Sequence, residues 1–126
     1  MNHRSWRARL AAFALHCCLL APAVGCAEDL NDASAKALFN AKGCNACHAT
    51  DEARIGPPFR IVSLRYASTP GFDAQWLAQK IRNGGAGSWG VAPMVSAPQV
   101  SPEQARAIVR WIMSLAPSPP KPDGES

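Results

Sequence analysis

Apolar residues recur along this chain at the three- and four-residue intervals that mark one face of a helix. The clearest case is Ile108, Trp111, Ile112 and Leu115, with Arg106, Arg110 and Met113 off the stripe. Ser101 is placed to cap this helix, Pro102 suits its first turn, and Gln104 completes an S-x-x-Q capping box. Upstream, a helix predicted from about Asp73 to Asn83 puts Trp76, Leu77, Lys80 and Ile81 along one face, with Gly84 as its stop signal. Phe59, Val62 and Tyr66 have the spacing of a further short helix. Near residue 31, "NDASAKALFNAKG" reads as a helix capped by Asn31 or Asp32, with Leu38 and Phe39 for apolar contact. Gly43 suits the left-handed position that ends it. No strand pattern of any length and no internal repeat is visible, so the fold class is all-α.

Between the last two helices lies Gly84 to Ser101, rich in Gly, Pro and Ser. A loop this long in a small domain is either functional or disordered. Trp89, Val91, Met94 and Val100 give it apolar groups to bury, which argues against disorder.

The N-terminus changes the arithmetic. Arg4, Arg7 and Arg9 precede an apolar run from Leu10 to Ala27, the pattern of a secretory signal peptide. That run is short and interrupted for a membrane span, which needs about 20 residues. Cleavage after Ala27 leaves Glu28 as the first residue; "AVGC" also resembles a lipobox, in which Cys26 is lipidated. The expected organisation is a signal peptide at 1–27, one domain at 28–116 and a flexible Pro-rich tail at 117–126. Of 126 residues, 13 are Lys or Arg and 9 are Asp or Glu. Loss of the three leader arginines leaves a nearly neutral protein, so the pI near 9.0 gives no support to nucleic-acid binding. Cys17, Cys18, His3 and His16 leave with the leader, and Cys26 leaves or is acylated. Cys44, Cys47 and a single histidine, His48, remain.

Those three form C-x-x-C-H, the signature for covalent attachment of c-type haem. The thiols add across the haem vinyl groups, and the histidine that follows comes up beneath the iron as proximal ligand. A structural zinc site needs four ligands, and the exported chain has no second Cys or His pair. A thioredoxin-like motif calls for a βαβ context, which the pattern lacks. A plain disulfide is compatible with an oxidising compartment, yet it explains neither His48 nor the apolar loop. For the sixth position on iron only Met94 and Met113 remain. Met113 falls on the polar side of its helix, whereas Met94 follows Pro93 in the long loop and is the expected distal ligand.

The segments "LFNAKGCNACHA", "IGPPF", "LAQKIRNGGAGSWG", "APM" and "SPEQARAIVRWIMSL" resemble the small bacterial class I c-type cytochromes of the c-551 and c-552 kind. They follow the family's order across nearly all of residues 36–115. The resemblance implies about four to five short helices around one covalently bound haem c, with a long methionine-bearing loop. It implies that the Pro57 carbonyl accepts a hydrogen bond from His48, that the Trp89 indole N–H contacts a haem propionate, and that Lys80 is a basic propionate partner. Trp111 is expected to pack against the N-terminal helix and the haem edge. One departure stands out: relatives carry an asparagine shortly after the ligand methionine, whereas this chain reads "MVSAPQVS".

A closed His48/Met94 pair suits one-electron transfer rather than binding of oxygen or peroxide. The expected function is a periplasmic monohaem electron carrier, an electron-transfer protein and not an enzyme. Its redox protein partners are expected to touch it transiently at the haem edge, near Cys44, Cys47 and Val91 to Val95. No nucleic-acid partner is expected, a membrane attachment only if Cys26 is lipidated, and a monomer when free. A dedicated subunit of one periplasmic dehydrogenase and a ligand-binding or peroxidase-like haem protein are the alternatives.

Overall fold

The computed structural model describes residues 29–117. The expected leader, its alternative ends at Ala27 and Cys26, and the tail beyond Pro117 lie outside the described residues. Among the described residues four α-helices form: α1 Asp32–Lys42, α2 Phe59–Ala67, α3 Ala74–Asn83 and α4 Pro102–Ser114. A single 3-10 turn, Cys44–Ala46, follows α1. Among the described residues the only β pairing is one isolated antiparallel bridge, Gly85 with Met94. The fold is all-α.

The caps explain where the helices begin. Asn31, not Asp32, is the cap of α1. Its side chain accepts from the Ser34 amide at 2.9 Å, and Ser34 Oγ accepts from the Asn31 amide at 2.9 Å. Asp32 is thereby left free to accept a hydrogen bond from the Trp111 indole at 3.0 Å, which ties α1 to α4. Asp73 caps α3 through the Gln75 amide, and Ser101 and Gln104 form the reciprocal box of α4. Pro102 occupies the first turn, where its missing N–H costs nothing.

The core lies where these helices meet. Ala35 and Phe39 come from α1, Phe59, Val62 and Tyr66 from α2, Leu77, Ala78 and Ile81 from α3, and Ile108, Val109, Trp111 and Ile112 from α4. Phe39, Phe59 and Trp111 form a three-ring cluster with centroids 4.8, 5.2 and 5.8 Å apart. Each such pair is worth about 0.5–1.5 kcal/mol beyond its buried area. The buried face of α4 is wider than the predicted stripe, because both α2 and α3 lie against it. Val109 is fully buried, and Met113, read as lying on the polar side, is partly buried against the core.

Candidate cofactor site

Gly43 ends α1 in the left-handed region, φ 77°, and turns the chain sharply into the 3-10 turn. There the Cys44 carbonyl accepts from the amides of Cys47, at 3.2 Å, and His48, at 3.0 Å. This compact turn brings Cys44, Cys47 and His48 to one wall of a cleft of about 210 Å³. Neither thiol is in a disulfide. Burial pushes the Cys44 thiol above its ordinary pKa, with a smaller contribution from nearby Cys47 opposing the relief from a backbone hydrogen bond.

His48 is held on several sides. Its Nδ1 lies 2.8 Å from the Pro57 carbonyl oxygen. A carbonyl can only accept, so Nδ1 carries the proton and Nε2 keeps its lone pair for a metal. Phe59 stacks on the imidazole at 5.1 Å between centroids, 13° from parallel. Gly56 lies so close that an added Cβ would sit 2.4 Å from Cε1 and 2.8 Å from Nε2. The Gly56 amide in turn donates to the Cys47 carbonyl at 2.8 Å, strapping the Gly-Pro-Pro segment onto the motif.

Met94 lines the same cleft from the long loop. Its backbone exchanges two hydrogen bonds with Gly85, at 2.8 and 3.0 Å. The approach requires glycine at position 84, where φ is 71° and a Cβ would meet the Met94 carbonyl oxygen at 2.4 Å. Met113 does not reach the cleft, so of the two candidate methionines only Met94 lines it.

The remaining walls come from α2, α3 and the loop. Trp76, Leu77, Lys80 and Ile81, the face predicted for α3, all line the cleft. Lys80 Nζ stands 5.4 Å from the Trp76 ring centroid. Trp89 is half-buried, edge-on to Tyr66 at 6.3 Å. Arg65 holds its position: the guanidinium carbon lies 4.5 Å from the Trp89 ring centroid, and Nη1 donates to the Ser88 carbonyl at 2.7 Å. Two expectations are corrected. Val91 is fully exposed (101 %) and buries nothing, because it sits outside the cleft wall. Trp111 packs on α1 as expected but does not line the cleft; Phe39 and Phe59, which it contacts, take the wall positions.

The cytochrome c family profile matches residues 33–116. This chain belongs to the cytochrome c family. It is similar to cytochrome c-551 of Azotobacter vinelandii, with 42% identity over 77 residues that cover 61% of this chain and 92% of the relative. Cytochrome c-551 of Pseudomonas aeruginosa is also 42% identical over 77 residues, covering 61% and 72%. The crystal structure of Nitrosomonas europaea cytochrome c552 superposes with a TM-score of 0.60 at 33% identity, covering 64% of this chain and 99% of that one. Membership defines a small class I c-type cytochrome, a monohaem electron carrier with one covalently bound haem c. The site fits that group: two free thiols, an imidazole with a free Nε2 and a thioether line one largely apolar cleft.

Sequence reasoning missed several residues that shape this site. Gly56 was visible only as part of "IGPPF", and Phe59 also as the first member of a helical stripe, with nothing to say that both lie against His48. Arg65 and Arg82 look like ordinary surface charges on their helices, and their hydrogen bonds reach residues 23 and 18 positions away.

Proposed function

We propose that this protein is exported through its residue 1–27 leader and works in the periplasm as a one-electron carrier, not an enzyme. Residues 28–116 form the working domain and 117–126 a flexible tail; attachment to a membrane requires lipidation of Cys26. The observation that carries this reading is the pairing of a His48 imidazole fixed on the Pro57 carbonyl with a methionine on the wall of the same cleft.

Haem c bound at Cys44 and Cys47 supplies a one-electron iron couple. His48 presents Nε2 to the iron, and its hydrogen bond to Pro57 fixes ring orientation and raises ligand basicity. Met94, on the wall of the same cleft, would supply a thioether ligand, and a soft sulfur favours the reduced metal, which would raise the potential. Held by both His48 and Met94, the group would offer no open site to oxygen or peroxide. The loop from Gly84 to Val100 excludes water, and the apolar wall disfavours the more highly charged oxidised state. Trp89 and Lys80, both on the cleft wall, would hold the propionates, with Trp89 steadied by Arg65. Exposed Ile55, Val91 and Val95 then offer apolar contact to redox partners. Such contacts are small and transient, typically under about 1,200 Å². The partners in view are a quinol-oxidising membrane complex and a reductase, oxidase or periplasmic dehydrogenase, met by a monomeric carrier.

The test is an optical spectrum of the protein matured with haem, oxidised and reduced, after acid–acetone extraction. Retained haem with a far-red sulfur-to-iron charge-transfer band is expected. Retained haem without the band would remove Met94 from the ligand set and reopen the distal side to external ligands.

A further inference from the structure

Between Met94 and the cap of α4 the sequence is V-S-A-P-Q-V, with no asparagine to steady the methionine. The structure assigns that work to Arg82, on the last turn of α3. Its carbonyl accepts from the Ala97 amide at 3.0 Å, while its own Nε donates to the Val100 carbonyl at 3.0 Å. The Val100 amide donates back to the Ala97 carbonyl at 3.0 Å, so residues 97–100 form a turn held on α3 at both ends. Met94 is registered on the same strip of backbone through Gly85, three residues beyond Arg82. Lys42 adds a second hold from α1, its Nζ donating to the Gln99 carbonyl at 2.9 Å while Gln99 Nε2 donates to the Lys42 carbonyl at 3.2 Å.

The chemistry favours a guanidinium here. Val100 is fully buried, and Arg82 is half-buried with no ion pair among the described residues. A charged donor on a carbonyl makes a stronger bond than a neutral one, and a positive charge at the C-terminal end of α3 agrees with the helix dipole. Arg82 is thus a positioning residue: it keeps the loop closed so that the Met94 thioether stays on the iron. This rests on the reading of Met94 as distal ligand.

The experiment compares wild type, Arg82→Met and Asn31→Ala as haem-loaded proteins. Imidazole entering the oxidised iron reports opening of Met94, and amide hydrogen exchange at Met94 and Ala97 reports opening of the loop. Arg82→Met should speed both about tenfold, the factor expected for one charge-assisted hydrogen bond. Asn31→Ala, which removes the remote cap of α1, should lower global stability and leave both rates within about twofold of wild type. Equal rates in Arg82→Met and wild type, or equal acceleration in both variants, would overturn the inference. Should Arg82→Met fail to retain haem, wild type alone decides. The Ala97 amide must then exchange at the rate of imidazole entry, and an Ala97 amide still protected while imidazole enters rejects the assignment. A wild-type protein that lacks the far-red band sinks the Met94 reading itself, while amide exchange still reports whether Arg82 holds the loop.

Discussion

The imidazole of His48 rests against the backbone of Gly56 so closely that a β-carbon added at Gly56 would lie 2.4 Å from Cε1, 2.8 Å from Nε2 and 2.9 Å from Nδ1. All three are atoms of a rigid ring whose orientation is further set by the Pro57 carbonyl and the Phe59 face. Neither neighbour can yield cheaply. Gly56→Ala should therefore displace the ring, lower haem incorporation and destabilise the loaded protein by about 1–3 kcal/mol, the usual range for overpacking. Haem content per protein and a denaturant midpoint check it; normal loading with an unchanged midpoint would show that the segment moves aside freely.

The two methionines should separate cleanly. Met94→Ala opens the iron on the proposed ligation, so the potential should fall, the far-red band disappear and imidazole bind without the wild-type delay. Met113→Ala removes a partly buried side chain that packs on the core and does not line the cleft. It should lower stability by about 1–3 kcal/mol, toward the low end of the range for buried methionines, and leave potential and band unchanged. Voltammetry and spectra of the pair decide; a potential that tracks Met113 instead would exchange their roles.

One side-chain hydrogen bond links α4 to α1. The Trp111 indole donates to Asp32 at 3.0 Å, while its rings contact Phe39 and Phe59 edge-on. Asp32→Ala should cost about 0.5–1.5 kcal/mol for the hydrogen bond, more if the indole N–H stays buried without water. Trp111→Phe should cost more than Asp32→Ala, because it also removes ring area. A double-mutant cycle by urea unfolding should show coupling between the two positions. Strict additivity would mean that water replaces the bond at no cost.

Much of this arrangement was legible before any coordinates. Helix positions followed from local signals: the Ser101–Gln104 box and the Gly43 and Gly84 stops each act within a few residues of themselves. The candidate site was legible as a set of residue types, because C-x-x-C-H leaves little other chemistry and His48 is the one histidine within residues 28–126. What the sequence could not carry was contact between distant segments. That Asp32, beside the Asn31 cap, accepts from Trp111, 79 residues away, is a contact no local signal carries. That Val91 is wholly exposed whereas Val100 is wholly buried depends on where the loop turns back, and the holds from Arg82 and Lys42 set that turn. Both valines look alike in a hydropathy pattern.

The last prediction concerns the protein without its cofactor. The cleft is bounded by Phe39, Phe59, Val62, Leu77, Ile81, Ile108 and Ile112, which are also members of the main core. A haem in the cleft would therefore share these side chains with the protein interior, and the core would be completed in part by the group. A domain of this size already buries only a modest fraction of its surface, and small domains commonly depend on a staple. Removing the group leaves an apolar wall facing water, with the Met94 loop held by its backbone and by Arg65, Arg82 and Lys42. Replacing both Cys44 and Cys47 with alanine, so that haem cannot be attached, should yield a chain without a cooperative thermal transition and with little near-ultraviolet dichroism. Addition of free haem should restore part of the helical signal through His48, because any ligand that binds only the folded state stabilises it by mass action. A sharp, two-state melt of the haem-free variant would mean that the four helices hold the cleft open unaided, with the cofactor entering a finished site instead of completing the core.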